Sequence, residues 1–379
     1  MHVVIVGGGV IGLSIAWRSL QRGLAVTLID PAIGTGASHA AAGILTTVAD
    51  KSLEQTDLFQ FALTSYHAYP DFVAELEESS ESSVGYRRDG ILEISFGDAD
   101  RARMEVERRF RDSIGLTSKI LTSSECCELE PLISPEVSGG MLALGDGSID
   151  PRRLINALLV AVERLGGTVI DERVTDVLIQ QRADGVLLEN GDFVRGDRVV
   201  LAAGCWTHRI GGLPPGLVQE IRPVKGQTLR LWQDPHDPDG RAPLGLTTRA
   251  RVSGASVYLV PRTDGELVIG STQEDCGYDT SVTAGGLWKL LRDAHEVAPG
   301  ITDMPFSSAV SGLRPGSPDD LPLIGPTDVP DLLLATGHFR FGVMLAPATA
   351  EAMAGLLISG DLPKVARPFR ATRFGRLTQ

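Results

Sequence analysis

The stretch VVIVGGGVIG, from Val3 to Gly12, decides the fold of this chain. Its opening run of apolar β-branched residues is typical of a strand buried on both faces of a parallel sheet. A glycine turn follows at once, and apolar residues at helical spacing from Ile11 to Leu20 predict a helix. Ala25 to Ile29 then predicts a second strand. This part of the chain therefore predicts a compact βαβ unit.

The glycine turn has the spacing that binds dinucleotides. Gly7, Gly9 and Gly12 form Gly-x-Gly-x-x-Gly between strand and helix, and Asp30 ends the second strand. The first glycine permits the tight turn, the second lets the pyrophosphate approach the backbone, and the third lets the helix pack on the strand. The helix N-terminus stabilises phosphate charge. Asp30 would accept hydrogen bonds from the ribose hydroxyls, which favours a dinucleotide without a 2′-phosphate.

The rest of the chain alternates helical and strand patterns. A long helical stretch rich in aromatic residues, Phe59 to Phe72, contains Pro70, which predicts a bend or a break. Asn190-Gly191 between two apolar runs predicts a hairpin. Alternating apolar runs after the loop at residues 234–240 predict an antiparallel sheet. Further predicted elements are a helix from Leu154 to Leu165, strands at Thr168–Ile170, Arg198–Ala202, Tyr258–Val260, Leu267–Ile269 and Leu332–Ala335, and a helix from Ala346 to Leu357.

These patterns predict an α/β protein of two domains. A Rossmann-like nucleotide-binding domain is expected to be discontinuous, formed by residues 1–83, 140–217 and 308–379. A second, α+β domain with a mainly antiparallel sheet is expected from residues 84–139 and 218–307, and would bind the substrate. A length of 379 residues fits two domains with a cleft between them.

Composition excludes several classes of function. The chain carries 35 basic and 48 acidic residues, a net charge of −13, and no basic run typical of a nucleic-acid or lipid-binding surface. The four cysteines have no metal-binding spacing, so no metal site is predicted and the thiols are expected to be reduced. No apolar stretch approaches the roughly 18 residues of a membrane span. We therefore expect a cytoplasmic protein with neither nucleic acid nor membrane as a partner.

Three further segments favour FAD over a nicotinamide dinucleotide. Small residues from Ser38 to Ile44 would let backbone lie against a flat ring. The middle strand ends in Ala202 to Trp206, with Gly204 at its turn, and a glycine-flanked segment runs from Gly337 to Pro347. From the dinucleotide unit alone, a nicotinamide dehydrogenase and a non-catalytic dinucleotide sensor stay open.

With these segments, the chain resembles the D-amino-acid-oxidase-like flavoproteins, and among them most closely the glycine oxidases of the thiazole branch of thiamine synthesis. The resemblance runs in order along nearly the whole chain. Its specific parts are Gly-Leu-Arg-Pro-Gly at 312–316 and Gly-His-Phe-Arg-x-Gly at 337–342. The other matching stretches are the dinucleotide unit and residues 40–45, 223–226, 258–262 with Gly270, and 322–325.

The resemblance implies roles for three side chains near the substrate. Arg314 would clamp the substrate carboxylate bidentately, which the planar guanidinium does better than lysine. Tyr258 would donate a second hydrogen bond to that carboxylate, and Arg340 would lie beside the amine and the flavin. The alternatives are a structural salt bridge for Arg314 and an ordinary strand tyrosine at position 258.

The resemblance also implies the FAD contacts and a non-covalent cofactor. His39 lies near the Ala-Gly segment, one position from where a histidine carries covalent FAD in related enzymes, and no cysteine lies close to Arg314. Gln273 and Ile44 stand where methionines are expected in glycine oxidases, which leaves the preferred amine open. The implied FAD-binding residues are Gly7, Gly9, Val10, Ile11, Gly12, Asp30, Pro31, Ser38, Ala42, Gly43, Ile44, Val174, Gly204, His338, Phe339, Arg340, Phe341, Gly342, Val343 and Met344.

The implied reaction is oxidative deamination of glycine or a similar small amine, such as sarcosine or a small D-amino acid. Dioxygen would be the second substrate and an oxo acid, ammonia and hydrogen peroxide the products, in support of thiamine synthesis. The alternative is a flavin amine dehydrogenase of the same fold that uses another electron acceptor. A homo-oligomer, either a tetramer or a dimer, is expected.

Overall fold

The structure is a computed structural model that describes residues 1–47, 56–218, 221–233 and 244–374. The predicted loop at 234–240 lies outside these residues. The α-helices are α1 (Val10–Gln21), α2 (Ala37–Ala40), α3 (Thr56–Ser80), α4 (Asp98–Ser113), α5 (Ser123–Leu129), α6 (Pro151–Arg164), α7 (Ala284–Val297) and α8 (Gly342–Ser359).

The strands form a six-stranded and an eight-stranded sheet, with two smaller sheets beside them. They are β1 (His2–Val6), β2 (Ala25–Ile29), β3 (Ile44–Leu45), β4 (Ile91–Ser95), β5 (Ser118–Leu121), β6 (Gly139–Ala143), β7 (Gly147–Ser148), β8 (Thr168–Ile170), β9 (Val174–Ile179), β10 (Ala183–Leu188), β11 (Phe193–Arg195), β12 (Arg198–Leu201), β13 (Arg222–Trp232), β14 (Thr247–Val252), β15 (Ala255–Pro261), β16 (Glu266–Gly270), β17 (Phe306–Gly316), β18 (Leu323–Pro326) and β19 (Leu332–Thr336).

The six-stranded sheet has the order β18-β19-β12-β1-β2-β8. All neighbouring pairs are parallel except β18 with β19. β1 lies in the middle of the sheet, and its apolar side chains are almost fully buried. Strands from three distant parts of the chain therefore form one Rossmann-like sheet, and the predicted α/β class is confirmed.

Helices α1, α3, α6 and α8 share the largest apolar core with this sheet. Trp17 of α1 is fully buried and meets Phe72 of α3 edge to face, with ring centroids 5.1 Å apart. Helix α8 corrects the prediction that no apolar stretch reaches membrane-spanning length, because its 18 residues pass that test by length and composition. The helix is 72% buried inside the protein, so it serves as a core helix.

The eight-stranded sheet has the order β17-β13-β16-β15-β14-β4-β6-β5. Its pairs are antiparallel except β4 with β14, in agreement with the predicted mainly antiparallel sheet. Apolar side chains of β13 to β16 pack with those of α7 in a second core. The other face of these strands carries Tyr258 and Gly270 and looks toward the first sheet.

One sequence-based expectation changes with these elements, and the domain division stays a proposal. Pro70 does not break α3, which runs continuously through it. Its neighbours Tyr69 and Phe72 are 1% exposed, and this packing outweighs the roughly 3 kcal/mol that a proline costs inside a helix. The proposed domain boundaries at 139/140 and 307/308 fall inside β6 and β17. Both strands belong to the eight-stranded sheet, and we count them with the proposed substrate domain.

Candidate active site

A cavity of about 890 Å³ lies at the carboxyl ends of the parallel strands β1, β2, β12 and β19. The residues that follow these strands line it, among them Gly7, Asp30, Ala202 and His338. In open α/β sheets this edge is where ligands bind. The opposite wall comes from the eight-stranded sheet, so the two sheets share one cavity.

The glycine turn is as tight as its sequence predicts. Gly7 has a φ of +116°, and a Cβ there would lie 2.4 Å from the carbonyl oxygen of Ala202. A Cβ on Gly12 would lie 1.9 Å from the carbonyl oxygen of Gly7. Gly12 is the predicted cofactor-binding residue that does not line the cavity. Its contact lets α1 pack against the turn, which is the role its spacing predicts.

The N-terminus of α1 points into the cavity. Gly9 is its N-cap and supplies no side-chain hydrogen bond. A Cβ on Gly9 would meet only Ser38 Oγ, at 3.5 Å, so the backbone is open to a ligand. The backbone N–H of Val10 donates to Ser38 Oγ at 3.1 Å. The positive end of the helix dipole and this accessible backbone fit a phosphate group.

Asp30 is held in place by two backbone N–H groups. Its Oδ2 accepts a hydrogen bond from Gly8 at 2.7 Å, and its Oδ1 accepts one from Ala32 at 2.7 Å. The carboxylate lines the cavity beside Pro31 and Val174. A carboxylate oxygen can accept more than one hydrogen bond, so ribose hydroxyls remain suitable partners.

The segment Ala42 to Ile44 is fixed by a buried arginine. Arg262 donates from Nη1 to the carbonyl oxygen of Ile149 at 2.8 Å and from Nη2 to that of Ala42 at 2.7 Å. Burial lowers the pKa of Arg262 to about 10. Gly43 has a φ of +70°, and a Cβ there would lie 2.1 Å from the Ile149 carbonyl oxygen. The backbone of this segment therefore has a single position along the cavity.

The segment His338 to Met344 lines the cavity and leads into α8. Tyr69 Oη donates to the carbonyl oxygen of Val343 at 2.6 Å, and Ser65 Oγ donates to that of Met344 at 2.7 Å. His338 is 2% exposed, and its Nε2 lies 3.1 Å from Thr349 Oγ1. Burial lowers the pKa of His338 to about 3, so the ring is neutral at ordinary pH.

Arg314 reaches into the cavity from β17. It donates from Nη1 to the carbonyl oxygen of Thr272 at 3.1 Å and from Nη2 to Ser271 Oγ at 2.7 Å. No carboxylate among the described residues forms an ion pair with it, so the structural salt bridge is not found there. Burial lowers its pKa, and nearby Tyr258 opposes that shift. A partly buried cation without a paired carboxylate is suited to bind an anionic ligand.

Two glycines provide the space that the site side chains occupy. A Cβ on Gly226 of β13 would lie 2.3 Å from both terminal nitrogens of Arg314. A Cβ on Gly270 of β16 would lie 2.4 Å from Tyr258 Oη. Because β13 and β16 are neighbours in the sheet, the guanidinium and the phenol lie over adjacent strands. Arg314 and Tyr258 are thus brought together as the sequence predicts.

Arg340 lies at the exposed side of the cavity. Its Nη2 donates to Gln273 Oε1 at 2.6 Å, and its guanidinium stands over the ring of Phe339 at 5.0 Å from the centroid. Both Arg340 and Gln273 line the cavity. Gln273 thus orients Arg340. The resemblance to glycine oxidases implies an apolar methionine at position 273, where this chain has a polar side chain.

All predicted site residues other than Gly12 line this one cavity. His39 does not line it, and burial together with Arg152 and Arg230 lowers the pKa of its ring. In the described part of the chain, no group of three or more histidine, cysteine, aspartate or glutamate side chains could hold a metal ion. Sequence reasoning missed the cavity-lining Arg249, Arg251, Ser256 and Lys289.

Comparison with known proteins identifies the family of this chain. A family model described as FAD dependent oxidoreductase matches residues 2–356. The chain is 30% identical to the bifunctional protein ThiO/ThiG of Trichormus variabilis, over 98% of this chain and 55% of that protein. It thus spans about half the length of that relative and of two further ThiO/ThiG proteins that it matches.

Two glycine oxidases match over nearly their whole length. The chain is 31% identical to glycine oxidase of Bacillus licheniformis, over 95% of this chain and 93% of that protein. The crystal structure of glycine oxidase from Geobacillus kaustophilus is similar with a TM-score of 0.87 and 30% identity, over 98% of each chain. The predicted resemblance and the predicted FAD dependence are confirmed, and this chain belongs to the FAD-dependent oxidoreductase family that includes the glycine oxidases.

Proposed function

We propose that this enzyme uses FAD to oxidise glycine or a similar small amine that carries a carboxylate. The observation that carries the proposal is Arg314, a partly buried guanidinium without a paired carboxylate among the described residues. It opens into the same cavity as the dinucleotide turn at Gly7 and Gly9. Similarity to glycine oxidases supports the substrate class.

The proposed FAD site follows the cavity lining. The backbone at Gly9 to Ile11 and the α1 N-terminus would hold the pyrophosphate, and Asp30 the ribose. Val174 would face the adenine, and Gly204 would let backbone approach the cofactor. The segments Ala42 to Ile44 and His338 to Met344 would enclose the ring system. Because His39 lies outside the lining, we propose that FAD is bound non-covalently.

In the proposed reaction the chain mainly orients the substrate. Arg314 would bind the carboxylate in a bidentate manner, and Tyr258 Oη would donate to the same group. Arg340, fixed by Gln273, would lie by the amine. FAD held there would supply the acceptor for the hydride of the carbon next to the amine nitrogen, and dioxygen would be the final electron acceptor, with hydrogen peroxide as its product.

The charges around the cavity agree with a reaction in which the chain orients the substrate and FAD takes the hydride. Asp30 is the one carboxylate among the described cavity-lining residues, and it belongs to the proposed ribose site. No lining carboxylate beside Arg314 could therefore take a proton from the substrate carbon. His338 stays neutral there because burial lowers its pKa. Fixed orientation of a neutral amine is the main contribution that the residues offer.

The first experiment is a peroxide assay under air on the purified yellow protein, with glycine, sarcosine, D-alanine and D-proline. We expect peroxide with at least one of these amines. Reduction of an artificial electron acceptor without peroxide would instead support the amine dehydrogenase. A colourless protein that takes up no FAD would contradict the assignment of the FAD site.

The second experiment replaces Arg314 with Ala. A charge-assisted bidentate pair stabilises a bound carboxylate by about 1.5–3 kcal/mol, so kcat/KM should fall by about tenfold or more. Most of the change should appear in KM, and Arg314→Lys should restore part of it. An unchanged KM would show that Arg314 does not bind the substrate.

The pathway, the location and the oligomeric state of the enzyme remain predictions. A role in thiamine synthesis is supported by similarity to the ThiO/ThiG proteins, of which this chain spans about half the length. The cytoplasmic location and the homo-oligomeric state stay predictions. Size-exclusion chromatography with light scattering would determine the oligomeric state.

A further inference from the structure

The charged side chains that line the cavity are mostly basic. Asp30 is the one acidic residue among the described lining residues, and it lies at the proposed ribose site. The basic residues are Arg173, Arg249, Arg251, Lys289, Arg314 and Arg340. A substrate with one carboxylate would be bound by Arg314 and Tyr258 with Arg340 by its amine, which leaves Arg249, Arg251 and Lys289 without an assigned role.

Strand register places two of these cations beside Tyr258. Arg249 of β14 lies directly opposite Tyr258 of β15, and Arg251 lies opposite Ser256. Directly paired residues, and residues two apart on a strand, point to the same face of a sheet. Arg249 and Arg251 are therefore on the face that Tyr258 presents to the cavity. Strand β14 lies two strand spacings, or about 10 Å, from the β16 strand that Tyr258 covers.

Arg251 is available to bind a ligand. It is exposed, it lines the cavity, and it makes no hydrogen bond or ion pair within the described part of the chain. Lys289 of α7 donates to Asp293 Oδ2 at 2.6 Å, but Asp293 also accepts from Arg292 at 2.7 Å. Two cations thus share one carboxylate, and Lys289 adds positive charge to the cavity lining.

Two acidic side chains near this region are already engaged. Glu93, the register neighbour of Arg249, accepts a hydrogen bond from Arg103 at 2.6 Å. Glu274 accepts hydrogen bonds from Gln227 at 2.7 Å and Thr272 at 2.5 Å, and it pairs with Lys225. These two glutamates, and Glu107, which interacts electrostatically with Arg249, lie outside the cavity lining and would not contact a ligand there.

We propose that Arg251 forms a second anion subsite for the substrate, with Arg249 beside it on the same face of the sheet and Lys289 elsewhere in the cavity lining. Resting on the proposed amine oxidation, this assigns the preferred substrate to amines with two carboxylates, either acidic D-amino acids or secondary amines of the iminodiacetate kind. The first carboxylate binds Arg314 and Tyr258. The second lies several ångströms away, toward β14, within reach of a long arginine side chain.

The subsite predicts a selectivity that can be measured on the holoenzyme. The assay compares kcat/KM for glycine and sarcosine with kcat/KM for D-aspartate, D-glutamate and iminodiacetate. At least one dicarboxylic amine should exceed both monocarboxylic amines by about tenfold or more, because charge-assisted hydrogen bonds to the second carboxylate add to binding. This advantage should shrink as the salt concentration rises, since the subsite is partly exposed.

The variant that tests the subsite is Arg251→Gln. It should lower the ratio of dicarboxylic to monocarboxylic kcat/KM by about tenfold. The matched control is Arg195→Gln on β11, another exposed arginine without a partner in the described structure that does not line the cavity. The control should leave the ratio unchanged. A wild type that prefers glycine or sarcosine, or an unchanged ratio in Arg251→Gln, would overturn the proposal.

A binding measurement separates this inference from the proposed reaction. Acetate and succinate, which lack an amine and cannot be oxidised in this way, are titrated into the holoenzyme while the absorbance of the bound flavin is followed. Succinate should bind about tenfold tighter than acetate in the wild type, and Arg251→Gln should remove most of that difference. If no amine were oxidised but this pattern held, the reaction would be wrong and the subsite right. Equal binding of the two acids would overturn the subsite alone.

Discussion

His338 shows how burial changes the properties of a single side chain at the candidate site. The ring is 2% exposed, and its pKa falls to about 3 because burial disfavours the charged form. In the unfolded chain the same ring titrates near 6.5. Below that pH the His338 ring binds a proton in the unfolded state but stays neutral in the folded state, so the free energy of unfolding falls as the pH falls.

We expect this titration to appear in the free energy of unfolding. Between pH 6.5 and pH 3, His338 should lower the stability by up to about 1.4 kcal/mol per pH unit. In His338→Gln the slope over this range should be shallower, whatever the absolute stability of the variant. Urea unfolding of the apoprotein at pH 7.5, 6 and 5 measures the slopes, with exposed His67→Gln as the control. Equal slopes in wild type and His338→Gln would contradict a neutral buried ring.

Arg262 acts on the cofactor site through the backbone. It holds the carbonyl oxygens of Ala42 and Ile149, which fix the segment beside the cavity. In Arg262→Met these acceptors lose their charged donor, and we expect the Kd for FAD to rise by about tenfold or more. Arg262→Lys should recover part of the affinity. Fluorescence titration of apoprotein with FAD provides the measurement, and an unchanged Kd in Arg262→Met would refute the positioning role.

The residues of the site differ in how well the sequence predicts them. Gly7, Gly12 and Asp30 follow from spacing, because each does a local job within one βαβ unit. Arg314 follows from a resemblance between sequences. Arg251 could not be found in this way, because its place depends on the register of β14 against β15. The alternation of Arg249 and Arg251 with buried Ala250 and Val252 was the available signal.

At the scale of elements, strands β13 and β16 each carry a glycine where a larger side chain would be expected. Gly226 on β13 makes room for the Arg314 guanidinium, and Gly270 on β16 makes room for the Tyr258 phenol. A strand interior usually disfavours glycine because it adds no packing. In these strands the glycines instead leave space for two polar side chains over the sheet.

We expect Gly226→Ala to displace the Arg314 guanidinium although residue 314 is not substituted. The added methyl would meet the mobile end of a long side chain, at 2.3 Å, so the guanidinium moves and the strand stays paired. KM for carboxylated amines should rise by about tenfold, close to the effect of Arg314→Ala, while the unfolding midpoint changes little. Gly285→Ala in α7 is the control, because its added methyl meets no atom within 4 Å. An unchanged KM in Gly226→Ala would contradict the position of Arg314.

Elements that depend on local signals agree with the sequence-based predictions. β2 coincides with the predicted strand Ala25 to Ile29, and the hairpin of β10 and β11 surrounds Asn190-Gly191. Helix α8 begins at Gly342, four residues before the predicted Ala346, because its first turn packs on α3. The parallel pairing of β4 with β14 joins residues more than 150 positions apart. No local sequence pattern predicts a strand pairing over this distance.

At the scale of the whole molecule, FAD should stabilise the fold. The cavity forms only when the two sheets are in place, so the cofactor binds the folded state and not the unfolded one. Free FAD at 100 times its Kd should add about 2.7 kcal/mol to the free energy of unfolding. Thermal unfolding of apoprotein at increasing FAD concentration should show a rising midpoint, with AMP alone giving a smaller rise. A midpoint independent of FAD would contradict a cofactor held by folded structure alone.

The strand order also bears on the time at which the enzyme becomes competent during its synthesis. β1 leaves the ribosome well before its neighbour β12, which begins at Arg198, and before the next strand, β19, which begins at Leu332. The last cavity-lining residue is Met344. Translation must therefore pass residue 344 before FAD has a complete site. Until β12 is translated, the apolar strand β1 lacks one of its two neighbours in the sheet, and an unpaired apolar strand of a growing chain is prone to aggregation and to chaperone binding.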